Sequence, residues 1–264
     1  MALVPFPGAQ TGVAARVLPE DDDEAPGGQM SFLEHLDELR KRIVHALLYT
    51  AAGVLVGFAF INRLSDFLLG PTRSVLPPGR TLIYTQPGEA FGFDIQIALI
   101  AGVVLAAPGI MYQVWLFIAP GLYSKEKKLA IPFVLMSTLC FLAGALFNHY
   151  IVFAFMMRFF GSFDTPDLVF MPRLDDVFDL YTKMLIGMGV VFQMPTLVFF
   201  LAKMKMVTWR FLARNFKYAF LIIFIIAAVI TPSPDAVTQT IFAAPMVGLY
   251  VISIVIAWIV GPKS

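Results

Sequence analysis

Long runs without a single Asp, Glu, Lys or Arg alternate with short charged clusters along this chain. The runs cover residues 43–62, 95–124, 129–157, 184–202, 218–234 and 236–262. A bilayer core of ~30 Å takes about 20 residues of helix at ~1.5 Å each, and most of the runs meet that length. Backbone polar groups in hydrocarbon must be satisfied within their own segment, which predicts helices. The apolar–polar alternation of barrel strands is absent. The expected fold class is therefore all-α, with six transmembrane helices. The fifth run is the doubtful one, because Pro232 and Pro234 leave only Tyr218 to Ile230 continuous. We read it as a short span rather than a re-entrant segment, since a sixth apolar run follows Asp235 directly. Lys217 and Arg214 can snorkel to the interface and lengthen it. Two short helices beside a tight turn would thin the bilayer locally.

The connections carry the remaining information. Residues 1–29 are rich in Pro and Gly and contain Glu20-Asp21-Asp22-Asp23-Glu24, with no apolar core of a secretory signal. They are expected to form a disordered acidic cytoplasmic tail, and residues 30–262 the membrane domain. Folded character starts at Met30, which makes it a candidate start. Ser31 to Glu34 reads as a capping box. Phe32, Leu36, Leu39 and Ile43 then share one helical face, with Glu34, Glu38, Lys41 and Arg42 away from it. In 63–94, Leu64, Phe67, Leu68 and Leu69 predict a short amphipathic helix, followed by turns at Gly70-Pro71 and Pro77-Pro78-Gly79. Pro87 and Glu89 suit the first turn of the next helix. Residues 161–180 hold Asp164, Asp167, Asp175, Asp176 and Asp179, which read as a solvated acidic loop without calcium-site spacing. Pro108, Pro132, Pro195 and Pro245 are expected to kink their spans. Trp115 and Tyr123 suit the interfacial aromatic belt. Of the 19 Lys and Arg, 13 fall on the side of the two termini, which places both termini in the cytoplasm.

Composition narrows the function classes. Hydrophobic residues make up 59% and charged residues 14% of the chain, against roughly a quarter charged in an ordinary soluble domain. That excludes a nucleic-acid binder, a disordered chain and nearly every soluble enzyme class. The single cysteine, Cys140, lies in an apolar run and reads as an inert thiol, and His35, His45 and His149 are too scattered for a metal cluster. No HExxH, GxSxG or P-loop pattern is present, and nothing implies a cofactor. The spans carry almost no ionisable groups, which argues against an ion-coupled pump and an intramembrane protease. Neither an internal repeat nor a polar midplane site supports a small-molecule transporter. The strong polar residues sit at the cytoplasmic interface. By spacing alone, Glu38 is an i,i+4 partner of Arg42 and Glu126 a local salt-bridge partner among lysines.

Four motifs change that balance. Ser31-Phe32-Leu33-Glu34-His35-Leu36-Asp37-Glu38-Leu39-Arg40-Lys41-Arg42-Ile43 resembles the N-terminal signature of the TatC family, the receptor core of the twin-arginine protein translocase. Gln113 to Lys128 resembles its first cytoplasmic loop, and Gly187 to Pro195 its fourth span. Thr231-Pro232-Ser233-Pro234-Asp235 with Gln239 to Pro245 resembles its last outer turn and sixth span. The match runs in order over about residues 30–262.

The resemblance implies a curved, glove-like bundle in the bacterial cytoplasmic (inner) membrane, and no enzymatic activity. It implies a receptor that binds Arg-Arg signal peptides and works in an oligomeric complex with TatA- and TatB-type single-span partners. Such a complex exports folded proteins across the bilayer on the proton-motive force. Glu38 and Glu126 match the acids that recognise the twin arginines, where a guanidinium can pair both its N–H donors with a carboxylate and a lysine cannot. Arg40 matches a residue of the same site, and we assign it to orienting Glu38 and shaping the local charge. Phe117 matches an aromatic at the site's edge. Gln193, Thr231 and Gln239 match polar positions that meet partner helices, although a hydrogen bond inside the bundle explains Gln193 equally well. An assembly scaffold without signal recognition is the competing reading, under which Glu38 and Glu126 would be replaceable.

Overall fold

A computed structural model describes residues 32–77, 79–118, 130–165, 167, 169–231 and 235–261. The expected tail, Ser31 of the capping box and the loop with Glu126 lie outside these residues. Among the described residues ten α-helices follow one another: α1 Phe32–Ala59, α2 Ile61–Arg73, α3 Glu89–Ile118, α4 Ala130–Phe147, α5 Phe153–Gly161, α6 Leu174–Val191, α7 Met194–Lys203, α8 Trp209–Arg214, α9 Phe216–Ile230 and α10 Ala236–Val260. A π-helical turn, Asn148–Val152, joins α4 to α5. Five of the resulting rods are long and apolar enough to cross a bilayer. The sixth, α9, has 15 residues and is about 22 Å long. It includes Lys217, but Arg214 closes the separate helix α8. The fifth apolar run is thus a short helix, with a break one residue after Arg214.

Glycines decide how the first two spans meet. A Cβ on Gly53 would lie 2.5 Å from the Gly102 carbonyl oxygen, and one on Gly57 3.0 Å from the Ala98 carbonyl oxygen. Gly53 and Gly57 are four apart, so one stripe of α1 lets its backbone touch that of α3. The rest of α1 faces outward, with Leu47, Leu48 and Leu55 exposed. In lipid such a face is in its preferred solvent. A second glycine contact lies on α6: a Cβ on Gly189 would meet the Phe141 ring of α4 at 2.6 Å, and one on Gly187 would meet Ile230 of α9 at 2.8 Å.

The main core gathers α2, α3, α5, α6, α9 and α10 around Phe153, Met156, Met184, Met188, Phe242 and Met246, all fully buried. Met184 and Met188 of the fourth span are thus packing residues. An apolar cavity of about 450 Å3 beside this core runs between α1, α2, α3, α4 and α6. His149 and Tyr181 contribute its polar edge, with His149 Nδ1 3.3 Å from the Tyr181 hydroxyl and Phe67 stacked on the imidazole.

Only one of the four prolines breaks its span. Pro195 sits in the first turn of α7, after a bend at Phe192–Gln193. Pro108 and Pro245 stay inside continuous α3 and α10, and Pro132 falls in the first turn of α4. Neighbouring helices can absorb the lost backbone bond of a membrane proline.

At one end of the bundle the loops form a cap. The Leu174 amide donates to the Ile83 carbonyl at 2.9 Å, and the Ile83 amide to the Pro172 carbonyl at 3.3 Å. This parallel bridge ties segment 74–88 to segment 162–173. Arg80 donates to both Asp164 oxygens at 3.1–3.2 Å. The Phe170 amide and then Arg80 hold the Asp164 carboxyl below its ordinary range, against the opposing effect of burial. The acidic loop is therefore only partly solvated: Asp164 organises it, and Asp175 and Asp176 occupy the first turn of α6.

Candidate functional site

The start of α1 and the end of α3 converge at the opposite end of the bundle. Two features fix α3 there. Trp115 is buried, with ring centroids 5.0 Å from Phe133 of α4 and 5.9 Å from Phe200 of α7. It is thus a core residue and no member of an interfacial belt. Two residues on, Phe117 stacks on His35 of α1 with centroids 4.5 Å apart.

One turn along α1 from His35 sits Glu38. Its side chain is 14% exposed, and its Oε1 accepts from Arg42 Nη2 at 2.7 Å. Its Oε2 is buried and has no partner among the described residues, and neither does Arg42 Nε. The i,i+4 pair read from the spacing is therefore formed. Arg40 is exposed, and it lies roughly 160° around the helix from Glu38. The residue that holds Glu38 is Arg42, which corrects the role assigned to Arg40. The apolar face of this lead-in is exposed at Leu36 and Ile43 while Glu38 and Arg42 are half-buried. That arrangement suits a helix entering lipid. Glu126 belongs to the segment outside the described residues.

The three partner-helix candidates are dispersed. Gln193 lies at the α6–α7 bend and donates through Nε2 to the Ser137 carbonyl of α4 at 3.0 Å. One turn on, Thr196 donates to Cys140 Sγ at 3.4 Å. These bonds satisfy polar groups that lipid would leave unpaired. Thr231 ends α9, buried, and its hydroxyl donates to the Ala227 carbonyl at 2.9 Å. Gln239 is half-buried in the second turn of α10. Asp235 caps that helix, accepting from the Thr238 amide at 2.8 Å.

Glu89 escaped the sequence reading except as a first-turn acid. Its side chain is fully buried beneath the cap, where it accepts from the Thr85 and Gln86 amides at 2.8 and 3.2 Å and from the Asp175 amide at 3.3 Å. Arg173 lies 3.8 Å away. An acid placed after Gly-Pro-rich turns was the available signal. No group of three or more His, Cys, Asp or Glu that would hold a metal occurs among the described residues.

Comparison with known proteins agrees with this architecture. The family model for Sec-independent protein translocase protein (TatC) matches residues 34–245. The TatC of Koribacter versatilis is 40% identical over 264 residues, spanning 99% of this chain and 95% of that protein. The TatC of Helicobacter pylori strain J99 is 39% identical over 228 residues, 86% of this chain and 89% of that one. A crystal structure of the twin-arginine translocase receptor TatC superposes with a TM-score of 0.74 at 35% identity, covering 84% of this chain and 97% of that chain. The chain belongs to the TatC family: it is a multi-span membrane component of the Sec-independent protein translocase, a transport protein and not an enzyme.

Proposed function

We propose that this protein is the signal-peptide receptor of its translocase. It binds the two arginines of a signal at the cytoplasmic ends of α1 and α3, with Glu38 and Glu126 as the acids, Arg40 shaping the local charge and Phe117 at the edge. With TatA- and TatB-type partners, in an oligomeric complex, it passes folded proteins across the cytoplasmic membrane on the proton-motive force. The excess of Lys and Arg on the side of the termini supports a cytoplasmic location for both. The observation that carries the reading is the half-buried Glu38 carboxylate, with one oxygen unpaired among the described residues, one turn from the His35–Phe117 stack. A carboxylate at a membrane interface attracts a guanidinium more strongly than one in open water.

The test is photocrosslinking of a twin-arginine signal peptide to membranes containing the protein, beside a Lys-Lys peptide. The Arg-Arg peptide should label near residues 38 and 117, the Lys-Lys peptide far less, and Glu38→Ala or Glu126→Ala should abolish labelling while the protein still inserts. Undiminished labelling of both variants would return the scaffold reading.

Gln193, Thr231 and Gln239 are proposed contacts for partner helices. For Gln193 the bond to Ser137 favours an internal role. Disulfide scanning from Gln193→Cys along a single-span partner decides between the two. Crosslinks at one helical periodicity support docking, and none along the whole partner helix leaves the internal bond as its purpose.

A further inference from the structure

We infer that Arg42 is a built-in stand-in for a signal arginine, occupying Glu38 until a guanidinium with better geometry displaces it. The inference rests on the receptor reading above. Arg42 and Glu38 sit four residues apart on one helix, and there the fork makes only half of its pairing. Nη2 reaches Oε1 at 2.7 Å, while Arg42 Nε and Glu38 Oε2 are both buried and both unpartnered among the described residues. Side-on pairing of a guanidinium with a carboxylate uses two parallel N–H···O bonds. An arginine on a separate peptide is free of the helix geometry and can make both.

The consequence is a threshold. With Arg42 in place, an incoming group gains only the difference between its own contact and the internal one. A peptide arginine gains the second bond. A peptide lysine exchanges one point contact for another and gains little. Displaced Arg42 has a way out, because its side chain is 28% exposed, twice the value for Glu38. The neighbouring Lys41 is exposed and pairs with no carboxylate among the described residues, which makes it a matched control for charge.

The experiment measures labelling by Arg-Arg and Lys-Lys peptides, across a range of peptide concentrations, on membranes with the full-length protein. Arg42→Met is expected to lower the half-saturating concentration of both peptides by about fivefold, bringing the Lys-Lys peptide into the measurable range. Arg42→Lys keeps the charge but removes the fork, and should shift both in the same direction by less. Lys41→Met should leave both unchanged. Unchanged or weaker labelling in both Arg42 variants would overturn the inference. An equal gain in Lys41→Met would also overturn it, by showing that net charge alone is responsible. Glu38→Gln separates this failure from failure of the receptor reading, since only the latter predicts full labelling in that variant.

Discussion

Replacing Gly53 with leucine is expected to detach α1 from α3 and to leave little folded protein after extraction. Even one added methyl matters. A Cβ at this position lies 2.5 Å from the Gly102 carbonyl oxygen, and the obstructing atom is backbone that cannot rotate away. Glycine in a helix interior costs about 1 kcal/mol relative to alanine, so propensity alone favours Gly53→Ala. Overpacking costs typically ~1–3 kcal/mol, and a backbone obstacle belongs at the upper end, so the clash wins. Thermal unfolding of the detergent-extracted protein should show Gly53→Ala about 5 °C below the parent. Gly53→Leu should aggregate or fall well below that. Gly248 has nothing within 4 Å of an added Cβ, so Gly248→Ala is the control and should melt at or slightly above the parent, by helix propensity alone. Equal melting of Gly53→Leu and the parent would show that the α1–α3 contact is not tight.

The second large effect is expected at Glu89. This carboxylate is the acceptor for amides from the turn before α3 and from the first turn of α6, and it faces Arg173. Glu89→Ala strands those donors and leaves Arg173 without its acid, which is costlier than never having formed the pair. Glu89→Gln keeps the shape but turns one oxygen into a donor facing donors. Both variants should open the cap, and limited proteolysis at residues 74–88 and 162–173 should accelerate about tenfold or more as local unfolding becomes easier. Retained resistance in Glu89→Gln would mean that shape, and not acceptance of those amides, holds the cap. Arg80 and Asp164 bind the same two segments from farther out, so the loops should loosen while the spans stay folded.

The charge-free runs located every span, and the Pro232–Pro234 break foretold the short one, because hydrocarbon solubility is a local property of sequence. The Glu38–Arg42 pair was legible for the same reason: helical spacing makes neighbours of residues four apart. Gly53-Val54-Leu55-Val56-Gly57 was equally legible as a close-packing stripe, although a hydropathy reading passes over it. Contacts between distant segments had no such signal. Glu89 meets Asp175, and His35 meets Phe117, only after the spans have packed. Trp115 misled because an indole suits both an interface and a core. Pro108 and Pro245 occupy unbroken helices, since a packed bundle tolerates a missing backbone bond. Glu126, the second acid of the proposed site, was legible only through family resemblance.

The π turn at Asn148–Val152 has a bearing on how this span changes over generations. A π turn holds one residue more than the α-helical turn it replaces. Asn148 and His149 point into the protein and Tyr150 and Ile151 outward, so the surplus is stored on the outer side. Losing one outward residue here would restore regular winding while the flanking helices keep their facing. The same deletion elsewhere in α4 or α5 would rotate everything beyond it by about 100°. A deletion of one residue is thus permitted at this address along the third span.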